Sequence, residues 1–173
     1  MDYVNNPKII RAWCLYDWAN SVYSLVVTSS LFPVFFGLVA INLKGEDKIF
    51  FFGFEVVNTA LFSFCVSFSF LIAGISSPFL TAFADLGDYR KKFLRFFCGL
   101  GAISCMGLAL FSGKALEIGM LIFILATIGY SSSIVFYNSY LPNIASKDQL
   151  DSVSARGFAM GYLGSFLLLV TIL

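Results

Sequence analysis

The 173 residues are 59% hydrophobic and only 12% charged, with a mean hydropathy of +0.87 and 21 phenylalanines. A soluble domain carries about 25% charged residues and buries only about two-thirds of its surface, so a soluble globular fold and a disordered chain are both excluded. The net charge of +1 offers no field for nucleic acid, and a chain without histidine lacks the commonest general base and zinc ligand.

Lipid is then the expected solvent, and at about 20 residues per span the length accommodates five or six helices. The apolar runs do not alternate with polar residues, so they predict helices rather than barrel strands. The expected fold class is all-α: a polytopic membrane protein with five transmembrane helices. Residues 1–12 form a cytoplasmic N-terminus, and residues 13–173 form one transmembrane domain with helices at about 13–43, 56–84, 93–112, 116–145 and 157–173. The first run is too long for a signal-peptide core and is expected to stay as an anchor. The connections at 44–48, 85–92, 113–114 and 146–156 are too short to hold a separate domain.

Basic residues set the orientation. Lys8, Arg11, Arg90, Lys91, Lys92, Arg95, Lys147 and Arg156 fall on one side of this topology, and Lys44, Lys48 and Lys114 on the other. The bias predicts a cytoplasmic N-terminus in a bacterial inner membrane. The four cysteines, Cys14, Cys65, Cys98 and Cys105, form no C-x-x-C pair and are expected as free thiols packed among apolar side chains. No metal or cofactor is expected.

Polar residues within the spans are the candidate functional groups. At 100° per residue, Asp17, Asn20, Ser21, Ser24 and Thr28 share one face of the first helix. A carboxylate and an amide in a span belong against protein or water, not lipid, so this face predicts the wall of a polar pathway. Helix–helix hydrogen bonding is the competing explanation. In the fourth helix, Thr127, Ser131 and Asn138 share a face flanked by Tyr130 and Tyr137, and suggest the same cavity. Thr59, Ser63, Ser67, Gly74, Ser77, Thr81 and Asp85 of the second helix read as a seam of small residues for close packing. Gly157, Gly161 and Gly164 predict a contact face at the start of the fifth. Pro33 and Pro142 are expected to kink or end their helices.

The loop between the second and third helices places Asp85, Gly87, Arg90 and Lys91 together, a carboxylate closing one helix and cations opening the next. This loop resembles the signature of the major facilitator superfamily (MFS), with Asp85, Arg90 and Lys91 on matching positions and Thr81, Leu86 and Asp88 departing from it. The run Trp13, Tyr16, Asp17, Trp18, Asn20 and Ser21, followed by Phe32 and Pro33, resembles the opening of one branch, the vacuole-effluxer-like group. Two later runs, Val135 to Pro142 and Ser154 to Gly164, are similar to further motifs of that branch. The resemblance implies a twelve-helix transporter working by alternating access, in which helices one and four line the cavity of each half. It implies Asp17, Asn20 and Asn138 as pathway residues, and Asp85, Arg90 and Lys91 as part of a cytoplasmic gate.

Against that frame, the chain supplies one three-helix repeat and two helices of the next, and its last apolar run of 17 residues extends only about 25 Å. The expectation is a truncated or split transporter of small polar solutes, amino acids among them, completed by a separate polypeptide. A membrane scaffold or accessory subunit is the alternative. An intramembrane aspartyl protease is a third class. It fits poorly, because Asp88 lies in a basic loop where two acids sharing a buried proton are required.

Overall fold

The computed structural model describes residues 4–41, 45–87, 89–112 and 115–172. Lys44, Asp88, Gly113 and Lys114, which figured in the loop and orientation arguments, lie outside the described residues.

The first span runs Pro7–Val39 in three pieces: α1 (Pro7–Tyr23), a π-helical stretch (Ser24–Ser30) and α2 (Leu31–Val39). It begins six residues before position 13. Asn6 caps it, its side-chain oxygen accepting from the Lys8 amide at 3.0 Å, and Pro7 occupies the first turn, where its missing N–H costs nothing. Lys8 and Arg11 hide this turn from an apolar window, although Ile10 on its inner face is buried.

An antiparallel hairpin of β1 (Lys48–Phe51) and β2 (Phe54–Val57) precedes the second helix and takes Val56 and Val57 from its expected 56–84 range, because both pair with β1. Its turn places Phe52 and Gly53 at positive φ. The hairpin leads directly into α3 (Asn58–Leu86). Buried Asn58 donates its amide to the Ala40 and Gly37 carbonyls at 2.9 and 3.4 Å, satisfying the open end of α2.

Then follow α4 (Arg90–Leu108), α5 (Leu116–Ser139), the single turn α6 (Leu141–Ile144) and α7 (Leu150–Ile172). Helix α4 ends at 108, not 112, because the chain tightens into i→i+3 turns that fold Phe111 inward. There Phe111 stacks on Phe36 with centroids 6.1 Å apart, beside Phe32, Phe62 and Phe123. The 116–145 helix is divided at Tyr140, with Pro142 in the first turn of α6. Helix α7 starts at 150, not 157. Its polar first turns break the apolar run, but Val153 within them is buried. At 23 residues α7 extends about 35 Å, enough for a full span.

Helix α5 is the centre of the bundle, packed against α4, α3 and α1, while α1 pairs with α7. At the tightest crossing, a Cβ on Gly129 would stand 2.6 Å from the Gly101 nitrogen, so α4 and α5 touch backbone to backbone. The outward surfaces are apolar. Phe64, Phe68, Leu71, Ile75, Phe79 and Phe83 run down one exposed face of α3. Four helices are long and apolar enough to cross a membrane: Pro7–Val39, Asn58–Leu86, Leu116–Ile144 and Leu150–Ile172. Helix α4 falls outside that set, with Arg90, Lys91, Lys92 and Arg95 crowding its first two turns. The protein is an all-α, multi-pass integral membrane protein, with the hairpin as its β element among the described residues.

The seam of small residues on the second helix is left largely uncovered by the described residues. Thr59, Ser63, Ser67, Gly74 and Asp85 of α3 are exposed, and the buried face is Leu61, Cys65, Ser69 and Ala73. The two faces lie about 150° apart at 100° per residue, and the larger apolar side chains direct α3 onto α5.

Candidate substrate-pathway cleft

A cleft of about 340 Å³ opens between α1, α5 and α7. Asp17, Ser21 and Ser24 line it from the first span, Tyr130, Tyr137 and Asn138 from α5, and Ser154 and Ser165 from α7. Five of the candidate pathway residues therefore meet on one wall system: Asp17, Ser21, Ser24, Tyr137 and Asn138.

The other four lie elsewhere. Asn20 lines a smaller cleft of about 200 Å³ on another side of α1, facing Phe97, Cys98 and Gly101 of α4. Thr28 donates to the Ser24 carbonyl at 2.8 Å within the π-helical stretch. Each residue there turns through a smaller angle than in an α-helix, and Ser29 lines the cleft in its place. Thr127 is fully buried and donates to the Phe123 carbonyl at 2.9 Å, so it receives the Tyr23 hydroxyl at 2.8 Å. Ser131 returns its proton to the Thr127 carbonyl at 2.8 Å. A 100° wheel marks which residues share a face, but not whether a neighbouring helix already covers that face.

Aromatic rings stack along the cleft wall at Trp13 and Tyr137. Trp13 and Tyr16 stack on opposite sides of Tyr137, with centroids 4.4 and 4.8 Å from it, and Trp13 Nε1 donates to the Tyr137 carbonyl at 3.2 Å. The Tyr137 ring is buried, and its hydroxyl has no hydrogen-bond partner among the described residues. Leaving a buried hydroxyl unpaired costs about 1–3 kcal/mol. Trp13 was detectable four residues before Asp17 on the same face. Ser154, Phe158, Gly161 and Ser165 keep three- and four-residue spacing, but this stripe begins in residues taken for a loop.

The three glycines of α7 face α1. A Cβ on Gly157 would stand 2.5 Å from the Trp13 ring, one on Gly161 would collide with Ser21 Oγ, and one on Gly164 would stand 2.5 Å from Trp18. All three are buried. Glycine here brings α7 close enough to close one side of the cleft.

At the loop after α3, Arg90 Nε donates to Asp85 Oδ1 at 2.6 Å, and Arg90 Nη1 to the Ser139 carbonyl at 3.4 Å. Arg90 thus joins the ends of α3, α4 and α5. Gly87 has negative φ, so left-handed backbone does not explain it. A Cβ there would strike the Tyr89 ring, over which Lys92 Nζ sits at 4.6 Å. Lys91 is exposed.

The family model described as "Vacuole effluxer Atg22 like" matches residues 5–173. The chain belongs to this Atg22-like vacuole effluxer family. It is 34% identical over 155 residues to "Uncharacterized MFS-type transporter YxiO" of Bacillus subtilis (strain 168), covering 90% of the chain and 34% of that protein. It is 31% identical over 160 residues to "Autophagy-related protein 22" of Chaetomium globosum, covering 79% of the chain and 24% of that protein. A protein of Aquifex aeolicus (strain VF5) is 28% identical over 159 residues, or 92% of the chain and 36% of that protein. The chain thus spans about a quarter to a third of the length of these curated relatives. No solved structure matches it. The family is described as one of effluxers and the Bacillus subtilis relative is named as an MFS-type transporter, so both descriptions are of transporters rather than enzymes.

Proposed function

We propose that this chain forms one wall of the pathway of a secondary transporter for small polar solutes, working by alternating access. The observation that carries this reading is the cleft between α1, α5 and α7. It is lined by a carboxylate, an amide, hydroxyls and an unpaired Tyr137 hydroxyl, within a bundle whose outward faces are apolar. Polar groups are held in a membrane helix where they line a cavity or bind each other, and here five of them line a cavity. Asp17 would attract a cationic group, Asn138 and the serines would hydrogen-bond neutral polar atoms, and amino acids offer both kinds of group. The Asp85, Gly87, Arg90 and Lys91 loop would serve as a gate at the end where basic residues collect. That end is assigned to the cytoplasm by the positive-inside rule, with a bacterial inner membrane as the location.

Helices beyond this chain would complete the pathway, since MFS-type substrates bind between two halves. The exposed stripe of Thr59, Ser63, Ser67 and Gly74 on α3 offers small residues for such a helix to pack on. The same stripe suits the accessory-subunit reading, in which the partner is a complete transporter.

Uptake of labelled amino acids into vesicles tests the proposal, comparing this chain alone with this chain joined to the unmatched part of the Bacillus subtilis relative. The joined protein is expected to show saturable uptake that Asp17→Asn and Asn138→Ala each reduce about tenfold or more, the worth of one good polar contact. Uptake indifferent to both substitutions would remove the cleft from the pathway. Saturable uptake by the chain alone would show that no completing helices are needed.

A further inference from the structure

A second large cleft, of about 740 Å³, lies at the start of α1 and α7 and shares no lining residue with the polar cleft. Arg11 and Leu15 of α1 and Arg156 and Met160 of α7 line it. One wall is fixed by a latch between residues far apart in the chain. Asn5, at φ 59, donates its backbone N–H to the Ile144 carbonyl at 2.8 Å. Its side chain donates to Ser146 Oγ at 2.8 Å and accepts from the Ser146 amide at 3.0 Å.

Arg11 and Arg156 are both exposed, and neither has a carboxylate partner among the described residues. Each stands within the first two turns of its helix, about 6 and 9 Å from its start at 1.5 Å per residue. Leu15 and Met160 stand one turn deeper, four residues on in each helix, and Leu15 is 44% exposed. Along both walls the order is therefore the same: guanidinium near the membrane surface, apolar side chain toward its interior. A guanidinium offers a planar fork of donors that matches phosphate, and two forks lining one cleft suit it better than point charges do.

We propose that this cleft binds an anionic phospholipid, its phosphate held by Arg11 and Arg156 and its acyl chain lying along Leu15 and Met160. A soluble anion would use the two arginines but leave the apolar floor without a role, and a zwitterionic lipid would bring its own cation against them. Basic pockets between transmembrane helices at the cytoplasmic end are suited to such headgroups.

Native mass spectrometry of the 173-residue chain in detergent, titrated with phosphatidylglycerol or phosphatidylcholine, tests this. The expected result is retention of phosphatidylglycerol at least about tenfold above phosphatidylcholine, a preference lost in R11Q/R156Q and kept in K147Q. Lys147 is an exposed cation at the same end that does not line the cleft. Should R11Q/R156Q fail to fold, R11K/R156K keeps the charge and loses the fork, and weaker retention than the parent is expected. Equal retention of the two lipids, or an undiminished preference in either folded double variant, overturns the site. Displacement of phosphatidylglycerol by inorganic phosphate at equal concentration overturns the assignment to lipid and points to a soluble phosphate.

Discussion

Tyr23 and Thr127 show how a hydroxyl in a membrane helix divides between lining a cavity and holding helices together. Both are buried, and the 2.8 Å bond between them ties the first span to α5. Bonds of this kind average about 0.6 kcal/mol and reach about 1.7 kcal/mol in membrane bundles. A double-mutant cycle of Tyr23→Phe and Thr127→Val, followed by unfolding in mixed micelles, is expected to return a coupling in that range. No coupling would return Thr127 to the set of candidates for the pathway. The stripe of Asp17, Ser21 and Ser24 was legible because its spacing and cost in lipid are properties of the residues themselves. The separate places of Asn20, Thr127 and Ser131 were not, because they depend on which neighbours arrive.

Helices declared themselves wherever apolar residues ran on, and their ends did not. The start of α1 depended on a cap, the end of α4 on the pull of Phe111 into an aromatic cluster, and the start of α7 on a buried Val153 amid polar residues. None of these is visible to an apolar window. The hairpin was missed because its Phe-rich strands continue the hydrophobicity of α3 without alternating. The α4–α5 crossing went unread as well, since Gly101 and Gly129 lie on different helices and neither belongs to a Gly-x-x-x-Gly pair. Gly129→Val is expected to cost about 1–3 kcal/mol, the range for overpacking, because the backbone of α4 stands in the way. Gly99→Val, where a Cβ meets nothing within 4 Å, provides the control and is expected to stay within about 0.5 kcal/mol of the parent. Both are read from unfolding in micelles, and equal losses would contradict the backbone contact.

For the whole molecule, charge and polarity are arranged end to end. Arg11, Arg90, Lys91, Lys92, Arg95, Lys147 and Arg156 gather where α1, α4 and α7 begin, while the hairpin with Lys48 joins the opposite ends of α2 and α3. In intact cells, a membrane-impermeant maleimide is expected to label a Lys48→Cys variant and to spare Lys147→Cys until the membrane is opened. The reverse pattern would invert the orientation proposed for the gate loop. The fold class and the family were readable at this scale, because both rest on residues spread along nearly the whole chain.

The fit of α7 on α1 carries a mechanical consequence. Trp13 sits over Gly157 and Trp18 over Gly164, two broad rings seated in two notches, and the Asn5–Ser146 latch fastens the same pair at one end. Sliding by one turn, about 5.4 Å, would set one ring on Gly161 but press the other onto Val153 or Leu168, whose side chain leaves no room for it. The two helices are keyed to each other like parts of one casting. Any widening of the polar cleft therefore falls to its third wall, where α5 meets the first span through stacked rings and the Tyr23–Thr127 bond.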